Sequence, residues 1–249
     1  MKIVFFAKVT PERFGLTASE MRYRAIFQEI NFSYEARISI HVGQVVVQII
    51  FGDSQPDILT IKNLVEGDIR QFVDYYGFFH GVRFDVDMIS AVDDAGNWHV
   101  FGIDIPVLKE ALQGCQDELL KKYFSCAIGK PECSVIMADF REAMRNPPNT
   151  GFHCYRAIET MMQTMKEIST EDNNRAWGKF RSNLNIDRNC LDAIKNHADP
   201  PRHGKLHAMT DSQRAYVFKK TQVIVLRFFE YLIRDERPLP EAEFPILQP

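Results

Sequence analysis

The sequence has no apolar run long enough to cross a membrane. Its longest stretches, Val45 to Phe51 and Val223 to Phe229, are interrupted by Gln48 and Arg227 and fall far short of about 18 residues. The segment Met1 to Lys8 holds too short an apolar core for a secretory signal. Cysteine is sparse: Cys115, Cys126, Cys133, Cys154 and Cys190 are five, an odd number, with no C-x-x-C pair. That pattern argues against a disulfide framework or a zinc site and leads us to expect buried thiols in a reducing cytoplasm. The first half contains no G-x-x-x-x-G-K-S/T, no G-x-G-x-x-G and no G-x-S-x-G, so the common nucleotide-binding and hydrolase signatures are absent. No internal repeat or low-complexity segment is visible. An excess of either charge is missing too: 30 basic residues face 33 acidic ones, a net charge of -3, which excludes a generic polycation binding nucleic acid indiscriminately.

What is present is ordinary globular material, with 45% apolar and 25% charged residues in 249. That length suits one large domain or two small ones. The first hundred residues read as mixed α and β. Ile3 to Val9 predicts a strand and Thr17 to Ile30 a short helix. Ser33 to His41 alternates apolar and polar, Gln44 to Phe51 is nearly all apolar, and Gly43 between them marks a tight turn. Pro56-Asp57 opens an amphipathic helix whose apolar positions from Ile58 to Tyr76 recur at three and four, with Gly77 and Gly81 as stops. Alternation returns at Val82, Phe84, Val86 and Met88, and the turn Asp94 to Asn97 leads into Trp98 to Ile103. The pattern is β-β-α-β-β with an extra amino-terminal element.

The remainder reads as helices: Pro106 to Tyr123, Glu132 to Arg145, Phe152 to Ile168, Thr170 to Leu184, Asp187 to His197 and Asp211 to Arg234. Asn146-Pro147-Pro148 and Asp199-Pro200-Pro201 predict two of the stops, Thr170-x-x-Asn173 a start, and Thr210-x-x-Gln213 a capping box. A tail with four prolines follows from Arg237. The expected fold class is α+β: an α+β domain over residues 1–105, then an all-α antiparallel bundle with an extended tail over 106–249. The charge divides at the same place. Residues 1–105 hold 9 basic and 14 acidic residues, and residues 106–249 hold 21 and 19. A mildly basic helical half suits either a solvated surface or a phosphate-attracting face.

The most polar stretch, Asn196 to His207, lies between two helices. It holds His197, His203 and His207 with Asp199, Arg202 and Lys205. Loops fixed by proline and freed by glycine often display functional groups. Three chemistries fit these residues. His197, His203, His207 and Asp199 could bind a metal, although Pro and Gly break the helical spacing such ligands favour. A histidine beside an arginine could cleave RNA. The imidazole would take a proton from a 2′-hydroxyl or give one to the leaving oxygen, and the guanidinium would hold the phosphate. The loop could also be purely structural, contacting its own helices or a second copy.

Arg202-His203-Gly204-Lys205-Leu206-His207 is an Arg-x4-His match just before the last long helix. With Phe152 to Glu159, it gives residues of about 130–235 a resemblance to the HEPN family of helical nucleotide-binding domains. The resemblance implies a cytoplasmic homodimer that binds RNA or acts as a metal-independent endoribonuclease, as in bacterial toxin or defence systems. The family's motif places Arg202 on phosphate and His207 in acid–base chemistry. The family usually has a polar Asn or Asp directly after the arginine. Here His203 stands there, so His203 is an alternative imidazole. No metal or cofactor is implied, and no membrane. A non-catalytic module binding nucleotide or a partner protein through the same loop is the alternative.

Other residues extend the candidate site. Lys205 would add to phosphate binding. Tyr155, Arg156 and Glu159 share one turn of a helix, where Arg156 and Glu159 suit an i,i+3 ion pair or a set of groups orienting Arg202. Asp139, Arg141 and Glu142 read as a solvated face. Trp177 and the cluster Met161, Met162 and Met165 read as core. Asp85, Asp87, Asp93 and Asp94 point only faintly to a cation. The first domain is expected to serve recognition, dimerisation or regulation.

Overall fold

In a computed structural model, the structure describes residues 1–52, 56–102, 104–110, 116–166, 172–205 and 207–249. The chain divides into two compact units. The first comprises Met1–Asp104 with Ala208–Asp211, and the second Ile105–His207 with Ser212–Pro249. The short returning segment is held inside the first unit. The Ala208 N–H donates to Glu29 Oε2 at 2.6 Å and the Asp211 N–H to Thr60 Oγ1 at 2.7 Å. The class is α+β, with the strands and the helical region segregated along the chain.

Among the described residues the first unit is one six-stranded antiparallel sheet, order β2-β3-β4-β1-β5-β6, with one α-helix and two single 3-10 turns. Its strands are β1 (Lys2–Thr10), β2 (Ala18–Phe27), β3 (Phe32–His41), β4 (Gln44–Phe51), β5 (Asp85–Asp93) and β6 (Trp98–Val100). Alternation decides which face is buried. Ile3, Phe5, Ala7 and Val9 point to the core, and Val4, Phe6 and Lys8 do not. The segment expected to be a helix at Thr17 to Ile30 is strand β2 instead. Its helix-forming residues are overridden because Met21, Tyr23, Ala25 and Phe27 line up against the core beside β3. Between Phe6 and Ala7 the register with β5 shifts, so Ile89 is an extra residue in β5.

Helix α1 (Ile58–His80) begins at Asp57, whose Oδ1 accepts from the Thr60 N–H at 2.9 Å. It buries Ile61, Leu64, Val65, Ile69 and Val73 in the core shared with the sheet. Gly77 does not end it. The chain continues to Gly81, which takes the left-handed conformation at φ 65. Gly77 is needed for another reason: a Cβ there would stand 2.4 Å from the Val82 carbonyl oxygen.

The second unit is helical: α2 (Pro106–Glu110), α3 (Gln116–Ala127), α4 (Pro131–Arg145), α5 (Thr150–Thr164), α6 (Asn173–Leu184), α7 (Arg188–Arg202) and α8 (Asp211–Ile233). The helix expected over Pro106 to Tyr123 is seen as α2 and α3; residues 111–115, Cys115 among them, lie outside the described residues. So do Ile168 and Thr170, the expected end of one helix and start of the next. Ile136, Ile158, Met161, Phe180, Phe218 and Phe228 are fully buried, and Met162 and Met165 nearly so, so the methionine cluster is core. The tail wraps onto the α6–α7 turn. Arg227 Nη1 donates to the Leu184 and Asn185 carbonyls, and Nη2 to that of Pro245. Among the described residues no helix is long and apolar enough to cross a membrane.

Candidate functional site

The expected stop at Asp199-Pro200-Pro201 is not one. Helix α7 runs through both prolines and ends at Arg202. Proline fixes φ near the helical value, and at the last turn few hydrogen bonds remain to be lost. The turn after it is fixed by the backbone. The His203 N–H donates to the Asp199 and Pro200 carbonyls, Gly204 to Pro201 and Lys205 to Pro200. Gly204 is left-handed at φ 70. Arg202, His203 and Lys205 are exposed on this turn. Leu206 lies outside the described residues.

Helix α5 supplies the neighbouring side chains. It passes so close to α7 that a Cβ on Gly151 would lie 2.5 Å from the His197 carbonyl oxygen. Only glycine lets the two helices meet there. Glu159 then reaches Arg202, with Nη1 to Oε1 at 3.2 Å. Tyr155 is buried and stacks on Trp177, with ring centroids 6.0 Å apart. Burial, then Glu159 and Asp199, push the Tyr155 hydroxyl up to about 12, against the opposing pull of Arg202. Tyr155 therefore stays a neutral donor. The expected ion pair between Arg156 and Glu159 does not form: each carries a partner on another helix.

Arg156 turns to Asp139 on α4. Asp139 was expected on a solvated face but is 0% exposed, because α5 covers that side of α4. Arg156 Nη2 is its ion partner. His153 Nδ1 lies 3.7 Å from the same carboxylate oxygen, too long for a hydrogen bond. Neither Asp139 oxygen accepts a well-directed hydrogen bond, and His153 Nδ1 makes none. Burial and then Arg156 hold the His153 imidazole below its usual value, with Asp139 opposing. Sequence spacing could have found the α5 side of the set, since His153 and Arg156 are i,i+3 on that helix. The partner on α4 carries no local signal.

His207 is not beside Arg202 in this network. Its Nε2 meets His197 Nδ1 at 3.0 Å, so one ring donates and the other accepts. The structure thus brings Arg202, Glu159 and Tyr155 together, places Arg156 with Asp139 and His153, ties His207 to His197, and leaves His203 and Lys205 on the exposed turn. Among the described residues no three His, Cys, Asp or Glu side chains converge as a metal site requires.

Residues 3–101 match the family model described as the domain of unknown function (DUF8168) N-terminal domain, and residues 120–233 match that of the DUF8168 C-terminal domain. Both halves of the chain belong to the DUF8168 family. Neither match is to a HEPN domain. No curated protein and no solved structure matches the chain. The α7 turn and the α4–α5 carboxylate both fall within the DUF8168 C-terminal domain, and the sheet makes up the N-terminal one.

Proposed function

We propose that the DUF8168 C-terminal domain binds RNA at the turn ending α7, with Arg202 and Lys205 on phosphate oxygens and His203 beside them. One observation carries this reading. Arg202 is held by Glu159 at 3.2 Å on a turn that the backbone fixes, so its remaining guanidinium N–H groups are presented in one geometry. The mildly basic helical half supports the same ligand. The test is fluorescence anisotropy of labelled RNA across a salt series. Binding should weaken with salt, and Arg202→Ala and Lys205→Ala should each weaken it and reduce the salt slope. Absence of binding at low salt overturns the reading.

A metal-independent ribonuclease of the HEPN type, working as a homodimer, is the second reading. The paired imidazoles of His197 and His207 favour it, because a ring hydrogen-bonded to another ring is oriented to give or take a proton. Cleavage in EDTA by the wild type, lost in both Arg202→Ala and His207→Ala, would raise binding to catalysis. Equal behaviour of wild type and variants would remove the catalytic reading.

A further inference from the structure

The sheet of the DUF8168 N-terminal domain has one face in its core and one open. On the open face the strand register sets one transverse row across all six strands. Arg22 opposes Arg37, Arg37 opposes Gln48, Gln48 opposes Val4, Val4 opposes Val92, and Val92 opposes Trp98. Five inter-strand steps make the row about 24 Å long.

The two ends of the row are unlike, and each is unusual. At the β6 edge Trp98 is 65% exposed. It stacks nearly parallel on Phe6 of the same face, with centroids 5.8 Å apart and planes 14° apart. A stacked aromatic pair with Trp98 exposed and Phe6 half-buried is a platform for another flat ring. At the β2–β3 edge two arginines stand directly opposite, an arrangement that repels. Arg22 is partly compensated by Glu20, its Nε to Oε1 distance being 2.7 Å. The other acids of the face are each set opposite a different cation, Glu35 facing Arg24 and Asp87 facing Lys8. No carboxylate of the sheet stands opposite Arg37, whose register partners are Arg22 and Gln48.

We infer that this open face binds single-stranded nucleic acid, laid along the row. Bases stack on Phe6 and Trp98, and phosphates take the facing guanidinium groups of Arg22 and Arg37. An anion between them converts a repulsive pair into a clamp. The row accommodates about four nucleotides, the short end of what sheet-borne single-strand sites cover. Both halves of the ligand are matched on one surface: flat rings at one end, negative charge at the other. A duplex is excluded because its bases are already stacked on each other. This inference is independent of the α7 turn.

The experiment uses the full chain with single-stranded RNA and DNA of one sequence, about eight nucleotides long, and the matching duplex. Trp98 emission should be quenched to saturation by single strands and not by the duplex. Relative affinity for RNA and DNA then reports whether the 2′-hydroxyl is read. Trp98→Phe should abolish the quench and, keeping a smaller ring, should bind more tightly than Trp98→Ala in an anisotropy assay. Trp98→Ala should weaken binding about five-fold or more, and Arg37→Glu should weaken it and lower the salt slope. Circular dichroism checks that the variants are folded; these side chains are outside the core, so folding should persist. The inference is overturned if neither single strand quenches Trp98. It is overturned if binding survives Trp98→Ala and Arg37→Glu yet fails in Arg202→Ala, a pattern that leaves the α7 turn as the site. It is also overturned if sedimentation shows that the face closes against a second copy and Trp98→Ala makes the chain monomeric. Loss of binding in the sheet variants alone, with Arg202→Ala unaffected, supports this face and removes the α7 reading.

Discussion

Each unit holds an aspartate away from water, and the two are treated in opposite ways. In the first unit Asp68, on α1, accepts from two tyrosines on neighbouring strands. Tyr23 donates to Oδ2 at 2.7 Å, and Tyr34 donates to the same oxygen. Burial raises Asp68, and the two hydroxyls pull it back. Close by, Glu66 is bracketed by Lys62 at 2.7 Å and Arg70 at 2.9 Å, and Arg70 continues to Asp85 at 2.6 Å. In the second unit Asp139 is buried with an ion partner but no well-directed hydrogen bond. The first arrangement is a closed network that fixes a helix on a sheet. The second holds its carboxylate by an ion pair and leaves acceptor capacity unused.

The sharpest way to break this contrast is Asp68→Ala. It strands two tyrosine hydroxyls at once, and the loss should be about 3 kcal/mol in urea unfolding. Asp68→Asn retains an acceptor and should lose clearly less. If both variants unfold like the wild type, the network is not structural and the contrast fails. Asp139→Asn should do far less, under about 1 kcal/mol in either direction, because Arg156 is half exposed and falls back to solvent. A loss as large as that of Asp68→Ala would mean that Asp139 is as structural as its counterpart. The smallest effect concerns His153. Its folded value lies below the usual 6.5, so the unfolded chain binds the proton more readily. The stability it contributes is complete above about 6.5 and is lost as the pH falls below that. Denaturant midpoints between pH 7.5 and 5.5, flatter in His153→Gln, would show it. Asp139→Asn should steepen the loss, since the carboxylate holds the imidazole's value up.

The two-part plan and most elements were legible, because period-two and period-three-to-four patterns are local; several ends were not, as at β5, expected from Val82 to Met88 and found at Asp85–Asp93, and at α5, which stops at Thr164. The failures are places where a partner distant in sequence decides. Thr17 to Ile30 has helix-forming composition, and only its pairing with β3 turns it into a strand. The i,i+3 spacing of Arg156 and Glu159 suggests a pair, but Asp139 and Arg202 compete better from other helices. Asp139 reads as surface because nothing in its own helix says that α5 covers it. Of the candidate site, the polar stretch just before the last long helix could be read, although its first part proves to be the end of α7 rather than a loop. The pairing of His207 with His197 could not, since it depends on α7 continuing through Pro200 and Pro201. The thiols follow the local rule: burial pushes Cys133 up to about 11 and Cys154 up to about 12.

The extra residue at Ile89 has the effect of a phase shift. Before it, the odd-numbered Asp87 faces outward; after it, the even-numbered Ser90 and Val92 do. Trp98 inherits its outward orientation from that change of parity through Val92. Removing Ile89 alone would restore an unbroken ladder with every other side chain still on its present face. At this one position β5 can be shortened without turning the open face inward.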